Sequence, residues 1–197
     1  MAYSLISGFF QWLTYKEPLN ILLIGLDNAG KSSILEVLER DQTEASGSPS
    51  ALPSPRPTVG LNLGSLTVKS RPLCIWDLGG ASGLRSIWAE YFAETHVIVF
   101  VVDAARRERF AEARAELERV LASPQLEGAP LLVLAHKHDA PSAADAGAIS
   151  AALGLGAVAS DSDEGAQSRR FVILETSCTD AQGLFAALDW ALGARAR

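Results

Sequence analysis

The 197-residue sequence contains only two cysteines, has no excess of positive charge and has no long apolar run. Cys74 and Cys178 form no metal-ligand spacing, so we expect two free thiols in a reducing, cytosolic compartment. The formal net charge of −6 argues against a nucleic-acid partner, which usually binds a basic patch. No apolar stretch approaches the ~20 residues that a transmembrane helix requires.

The two ends of the sequence carry no common targeting signal. The start lacks the basic region and the small-residue cleavage pattern of a secretory signal. Ala2 stands where N-myristoylation needs glycine, and the end at 193–197 has no C-a-a-X box. We therefore expect neither secretion, myristoylation nor prenylation.

An apolar stripe at helical spacing marks the first residues and predicts an amphipathic helix over 1–16, ahead of one domain over 17–197. The stripe consists of Leu5, Ile6, Phe9, Phe10 and Leu13. One interpretation is a helix packed onto its own domain, and the other is an interfacial helix that inserts into a bilayer. A switch between the two states would satisfy both interpretations.

The stretch Gly25–Ser32 reads Gly-Leu-Asp-Asn-Ala-Gly-Lys-Ser and matches the phosphate-binding pattern G-x-x-x-x-G-K-[ST]. It follows a strand-like run and leads into a helix-like one, which is the context that a P-loop needs. Its backbone N–H groups and the helix N-terminus would face the phosphates. Lys31 would reach the terminal phosphates, and the Ser32 hydroxyl would bind Mg²⁺.

Strand-like and helix-like runs alternate along the chain. They predict an α/β fold with a six-stranded, mostly parallel sheet and helices on both faces. The segment 41–57 is rich in Ser and Pro and is expected to be mobile. The predicted strands are 19–24, 59–68, 72–78, 97–102, 131–134 and 171–174, and the helices are 31–40, 83–94, 105–122, 142–153 and 180–193.

Three further positions suit a bound nucleoside triphosphate. Asp77 ends a predicted strand, where a second carboxylate on the Mg²⁺ side would lie, and Gly80 could bring a backbone N–H to the γ-phosphate. Thr58 follows the mobile segment, where its hydroxyl could complete Mg²⁺ coordination only with triphosphate bound. This predicts an order–disorder switch.

The ends of the last two strands carry residues suited to guanine. Asp139 could accept hydrogen bonds from guanine N1–H and N2–H₂, and the aliphatic stem of Lys137 would lie along the base and ribose. Ser177–Cys178 could present a backbone N–H to guanine O6. An ATP-using P-loop kinase would not explain Asp139, and the sequence has no lid-like arginine cluster.

Together, Gly25–Ser33, Pro57–Gly60, Trp76–Gly80 and the Lys137-x-Asp139 pair resemble the Arf and Arf-like small GTPases. This resemblance implies the P-loop NTPase fold of the small G-protein type. Leu5–Gly8, Lys16 and Val59–Gly64 are most similar to the Arf-related protein branch. The resemblance implies Mg²⁺ bound through Ser32, Thr58 and, through water, Asp77. It implies nucleotide-binding residues Asp27, Asn28, Ala29, Gly30, Lys31, Ser32, Ser33, Thr58, Gly80, His136, Lys137, Asp139, Ser177 and Cys178.

The same resemblance implies a GTP/GDP switch served by an exchange factor, a GTPase-activating protein and effectors. It implies reversible membrane association through the N-terminal helix, in the cytoplasm at Golgi or trans-Golgi membranes and in vesicle traffic. Leu61, Trp76 and Tyr91 occupy the positions of the family's effector-facing apolar triad, with Leu61 in place of the usual Phe.

Two positions depart from the pattern. Ala81 replaces the glutamine that orients the attacking water, so unaided hydrolysis is expected to be slow. His136 replaces the Asn of N-K-x-D, and an imidazole can give one donor to guanine N7 or to the P-loop but lacks the donor-and-acceptor pair of an amide. We also expect affinity to depend on pH near the usual imidazole pKa of about 6.5. Besides the hydrolysing switch, these changes leave open a scaffold that holds GTP, hydrolyses little of it and recruits a partner.

Overall fold

The computed structural model of the chain describes residues 17–45, 58, 60–157 and 169–195. The predicted N-terminal helix, most of the segment 41–57 and the residues 158–168 lie outside these ranges. Within them, no helix is both long and apolar enough to span a membrane.

The described residues form a six-stranded sheet in the order β2-β3-β1-β4-β5-β6. Only β2 and β3 pair antiparallel, as a hairpin, and every other neighbouring pair is parallel. This confirms the predicted fold class. The strands are β1 (Leu19–Gly25), β2 (Leu61–Val68), β3 (Arg71–Leu78), β4 (Val97–Asp103), β5 (Leu131–His136) and β6 (Phe171–Thr176).

In the described part of the chain, four α-helices accompany the sheet: α1 (Lys31–Ala45), α2 (Phe110–Leu121), α3 (Ala146–Leu153) and α4 (Ala181–Arg195). The first helix runs five residues beyond its predicted end. The prediction of a mobile segment from residue 41 onward is therefore wrong for 41–45. The cause is the side chain of Gln42, which donates to the Thr67 carbonyl at 2.6 Å and accepts from the Thr67 N–H at 3.2 Å. These bonds attach the last turns of α1 to β2.

The segment predicted as a helix over 83–94 is wound as a 3₁₀ helix, Ser82–Glu94. Its first bond runs from the Leu84 N–H to the Ala81 carbonyl at 2.8 Å. A 3₁₀ helix has three residues per turn, so side chains three apart project from the same side. Arg85 and Trp88 are three apart, and both reach back to the chain just before the helix.

Two other helices begin later than predicted. A 3₁₀ turn, Arg107–Arg109, precedes α2. The start of α3 is fixed by Asp145, whose carboxylate accepts from the Ala148 N–H at 2.7 Å. This N-cap satisfies a backbone donor of the first turn and places the start of α3 at Ala146.

Both faces of the sheet are buried, because side chains along β1 alternate between two apolar clusters. Leu22 and Ile24 join the cluster beneath α2, α3 and the 3₁₀ helix Ser82–Glu94. Ile21 and Leu23 join the cluster beneath α1 and α4. The loops after β1, β3, β5 and β6 are left to meet at one edge of the sheet, where ligands of such sheets bind.

Candidate functional site

The loop between β1 and α1 has the local conformation of a phosphate cradle. Asn28 and Gly30 both have positive φ, at 60° and 102°, and the Ile34 N–H donates to the Gly30 carbonyl at 2.9 Å to begin α1. The Lys31 ammonium is buried and donates to the carbonyls of Gly25 at 3.0 Å and Leu26 at 2.9 Å. The loop therefore folds around its own cation.

Burial lowers the pKa of Lys31 to about 8, because desolvation disfavours the charged form. Asp77 acts in the opposite sense on this group, since its carboxylate favours the protonated ammonium. The side chain is thus still mostly protonated at pH 7. A phosphate group at the loop would meet a cation together with the helix N-terminus.

The three residues predicted on the Mg²⁺ side meet next to this loop. The Ser32 hydroxyl lies 2.5 Å from Asp77 Oδ2 and 2.6 Å from Thr58 Oγ1, and Thr58 Oγ1 lies 3.3 Å from the same carboxylate oxygen. Asp77 is fully buried, and its Oδ1 atom has no hydrogen-bond partner among the described residues. Burial raises the pKa of Asp77 despite the Ser32 hydrogen bond.

A buried carboxylate oxygen without a hydrogen-bond partner lowers the stability of the fold. Hydroxyl and carboxylate oxygens are the hard ligands that Mg²⁺ takes in proteins. The residues present therefore fit Mg²⁺: Ser32 and Thr58 would bind it directly, and Asp77 would hold it through water.

Gly80 lies against the phosphate loop, as its predicted role requires. A Cβ at this position would come within 2.4 Å of the Gly25 carbonyl oxygen and 2.5 Å of the Asp27 nitrogen, so only glycine fits. Ala81 follows with an exposed methyl group in extended conformation, at φ −62° and ψ 142°. That side chain has no atom that could align a water molecule.

The predicted base-binding residues come together at the ends of β5 and β6, where His136 and Thr176 are paired in register. Asp139 accepts a 2.6 Å hydrogen bond from the Ser177 hydroxyl, and this bond is the main cause of its lowered pKa. Lys137 donates at 2.7 Å to the Asn28 carbonyl in the phosphate loop and at 2.7 Å to Asp103 Oδ2. Lys137 thus bridges the base loop and the phosphate loop.

His136 is buried, with 1% of its surface exposed, and both ring nitrogens have neighbours outside the phosphate loop. Nδ1 lies 3.1 Å from the Thr176 hydroxyl, and Nε2 lies 3.3 Å from the Cys178 sulfur. The Cδ2–Nε2 edge of the ring packs against Gly30, where a Cβ would come within 2.5 Å of Cδ2 and 2.9 Å of Nε2. The ring therefore reaches the P-loop by packing and makes no hydrogen bond to it among the described residues. A donor from the imidazole to guanine N7, the other contact expected, stays a prediction.

Burial lowers the pKa of His136 to about 4, and the neighbouring Lys137 charge acts in the same direction. The imidazole is therefore neutral throughout the physiological pH range. The expectation of a titration near pH 6.5 at this residue is wrong, because the sequence does not reveal that the ring is desolvated.

A charged network beside the phosphate loop was missed in the sequence. Arg109 donates to the Asp27 carboxylate at 2.8 Å and to the Asp27 carbonyl at 2.9 Å, and it also meets Glu112 at 3.0 Å. Glu112 accepts at 2.7 Å from Arg85, which donates to the Gly80 carbonyl at 2.8 Å. The only signal in the sequence was the dense charge of 106–119, a pattern typical of a solvated helix face.

The predicted effector-facing triad is partly covered. Trp76 is buried and packs against Tyr91 with ring centroids 5.4 Å apart. The large apolar side chains exposed in the described ranges are Leu61 and Leu63 of β2, the latter with 60% of its surface accessible. An apolar contact surface on this face would therefore centre on β2.

Comparison with known proteins agrees with this fold. The sequence profile of the ADP-ribosylation factor family matches residues 4–194. The chain is also similar to the solved structure of the Arl6 BBS3 small GTPase from Trypanosoma brucei with bound nucleotide analogue GppNp. The match has a TM-score of 0.75 at 24% sequence identity, and it covers 92% of this chain and 99% of that one.

Proposed function

Because the chain belongs to the ADP-ribosylation factor family of small GTPases, we propose that it is a switch between GTP- and GDP-bound states that uses Mg²⁺ and hydrolyses GTP slowly on its own. The observation that carries the proposal is the meeting of Ser32, Thr58 and Asp77 beside the Lys31 cradle. Magnesium, when bound there, would neutralise charge on the β- and γ-phosphates.

Guanine selectivity rests on Asp139. Its carboxylate can accept from N1–H and N2–H₂ of guanine, an arrangement that adenine does not offer. The Ser177 hydroxyl bond holds the carboxylate in orientation and favours its ionised form. Removing this carboxylate would leave the base with unpaired donors and would reduce the preference for guanine.

Slow hydrolysis follows from Ala81. The methyl group is exposed beside Gly80 and offers no donor or acceptor to the attacking water. The remaining parts of the site bind and polarise the triphosphate but do not align that water. An arginine supplied by a GTPase-activating protein could raise the rate of GTP hydrolysis by a factor of the order of 10³–10⁵.

The same residue favours a second candidate, a scaffold that holds GTP and recruits a partner while hydrolysing little. The two candidates predict different nucleotides on the purified protein. The full chain, purified without added nucleotide and then denatured, should release GDP if it is a working hydrolase and GTP if it is the scaffold. Release of ATP or ADP would contradict both.

We place the switch in membrane traffic at the Golgi, with an exchange factor, an activating protein and effectors as partners. This part rests on the resemblance of Leu5–Gly8 and Val59–Gly64 to the Arf-related branch. Co-sedimentation with phospholipid vesicles should be stronger with a non-hydrolysable GTP analogue than with GDP. Fluorescence microscopy of the tagged chain should show a Golgi pattern, and a diffuse signal in every nucleotide state would contradict this placement.

A further inference from the structure

Two consecutive carbonyls beside the phosphate loop are held by side chains of the 3₁₀ helix that follows them. The Trp88 indole N–H donates to the Gly79 carbonyl at 3.0 Å, and Arg85 Nε donates to the Gly80 carbonyl at 2.8 Å. In a trans peptide, the carbonyl and the next N–H point in opposite directions within one plane. Anchoring these carbonyls therefore fixes the directions of the Gly80 and Ala81 N–H groups.

Arg85 joins the Gly80 carbonyl to three carboxylates. It is buried, with 5% of its surface exposed, and besides Gly80 it donates to Glu112 at 2.7 Å and to Glu116 at 3.0 Å. Its guanidinium also lies 3.7 Å from the Asp27 carboxylate of the phosphate loop. A planar group with five donors suits this junction, whereas a lysine ammonium could not make the same set of bonds.

The two carboxylates that accept from Arg85 differ in the second arginine that each of them contacts. Glu112 also contacts Arg109, whose guanidinium holds the Asp27 carboxylate and carbonyl. Glu116 contacts Arg119 instead, which lies on the same helix with its guanidinium over the Trp88 ring, 6.0 Å from the ring centroid. A continuous chain of hydrogen bonds thus joins Asp27 to Gly80 through Glu112 and not through Glu116.

We propose that Arg85 is a positioning residue for the triphosphate state, which it serves by tying the Gly80–Ala81 peptide to Asp27 through Glu112 and Arg109. The terminal phosphate would then meet backbone N–H groups of fixed direction beside a residue that has no side-chain amide. GDP has no terminal phosphate at that point, so the network acts on the choice between the two nucleotides. This inference rests on the proposed GTP/GDP switch.

The matched variants Glu112→Gln and Glu116→Gln test the proposal. Each removes one carboxylate charge facing Arg85 and keeps the side-chain volume. Dissociation constants for GDP and for a non-hydrolysable GTP analogue should be measured on the full chain with Mg²⁺, together with thermal melting. Glu112→Gln should weaken the binding of the analogue about fivefold more than the binding of GDP, which is the equivalent of losing about one hydrogen bond. Glu116→Gln should change the ratio less than twofold.

A purely structural network gives a different pattern. Glu116 is the less exposed of the two carboxylates, so a loss of packing alone would make Glu116→Gln at least as harmful as Glu112→Gln. The proposal is overturned if Glu112→Gln weakens the binding of GDP and of the GTP analogue equally. It is also overturned if the ratio of the two dissociation constants is the same in Glu112→Gln and Glu116→Gln. If the unaltered chain binds neither nucleotide, the proposed function fails first and this inference fails with it.

A second variant keeps the proposal testable if Glu112→Gln disturbs the fold. Arg109→Lys retains the positive charge but cannot hold the carboxylate and the carbonyl of Asp27 together as the guanidinium does. It should lower the preference for the GTP analogue over GDP by a similar factor. An unchanged preference in a variant that melts normally would overturn the link to Asp27.

Discussion

The imidazole ring of His136 lies directly against Gly30 of the phosphate loop, so that a Cβ at Gly30 would come within 2.5 Å of its Cδ2 atom. The ring joins the loop that would bind the base to the loop that would bind the phosphates. It does so by packing, because its two nitrogens lie against Thr176 and Cys178. A histidine at this position is therefore a neutral part of the interior.

The first prediction concerns the base loop. His136→Asn should tighten guanine-nucleotide binding by about fivefold or more, because an amide supplies a donor and an acceptor together. Calorimetric titration with GDP and Mg²⁺ measures the change. His136→Ala is the control, since it removes the ring without adding an amide and should weaken binding. Weaker binding by His136→Asn as well would show that the ring itself is the better fit to Gly30.

The second prediction concerns pH and stability. The pKa of His136 is about 4 in the folded chain and about 6.5 when the imidazole is exposed, so the unfolded state binds more protons between these values. Stability from this group is therefore present above pH 6.5 and is lost as pH falls towards 4. Between pH 7 and pH 5 the loss should be about 2 kcal/mol.

Urea unfolding of the chain and of His136→Asn at both pH values isolates this contribution. Other titrating groups act in both proteins, so the difference between their pH slopes belongs to His136. The variant should lose less stability on acidification. Parallel slopes would mean that the imidazole is solvated in the folded protein.

The third prediction concerns Asp77. Asp77→Asn should raise the Mg²⁺ concentration needed for tight nucleotide binding roughly tenfold or more, because it removes the charge that holds the ion's water shell. Without Mg²⁺ the variant should be at least as stable as the parent chain, since burial already disfavours the ionised carboxylate. Opposite effects on metal dependence and on apo stability distinguish a metal site from a structural carboxylate.

Nucleotide release rates over a range of Mg²⁺ concentrations, with thermal melting in a chelator, provide the two readouts. Asp180→Asn is a suitable control, because Asp180 is an exposed carboxylate that accepts from the Gly183 N–H at the start of α4 and has no hydrogen bond to Ser32 or Thr58. An identical Mg²⁺ response in the parent and Asp77→Asn would contradict the assignment.

The fourth prediction concerns hydrolysis. Ala81→Gln should raise the single-turnover rate of GTP hydrolysis by roughly ten- to a hundredfold, because a side-chain amide can align the attacking water. Ala81→Leu adds similar bulk without the amide and should leave the rate unchanged. The side chain is exposed, so neither variant should alter the melting temperature much. No gain from glutamine would point to a second missing component of the site.

The sequence predicted the parts of the site that are defined by local spacing. The hairpin and the parallel strands follow from short patterns, and the structure confirms them. The glycines and Lys31 of the phosphate loop follow from a short pattern as well, and their role in binding phosphate stays a prediction. The desolvation of His136 was not predictable, because it arises from the approach of Gly30, Thr176 and Cys178, which are distant in sequence. Burial, and with it the direction of a pKa shift, is a property of the assembled fold.

The network from Asp27 to Gly80 was missed for a related reason. Arg109 and Glu112 are three residues apart on a charged stretch, a pattern that an exposed helix also shows. Only the packing of α2 beside the phosphate loop brings these two side chains into contact with Asp27 and Arg85. The 3₁₀ winding of Ser82–Glu94 was not predicted either, and two of its side chains donate to the Gly79 and Gly80 carbonyls, contacts that helical periodicity does not reveal.

The bridge made by Lys137 affects the entropy of ligand binding. Its ammonium joins the Asn28 carbonyl to Asp103, while His136 fills the space above Gly30, so the two loops hold each other at a fixed separation. A ligand that spans both loops therefore meets a preorganised cleft. Little backbone freedom remains to be lost on association, and more of the contact free energy appears as affinity.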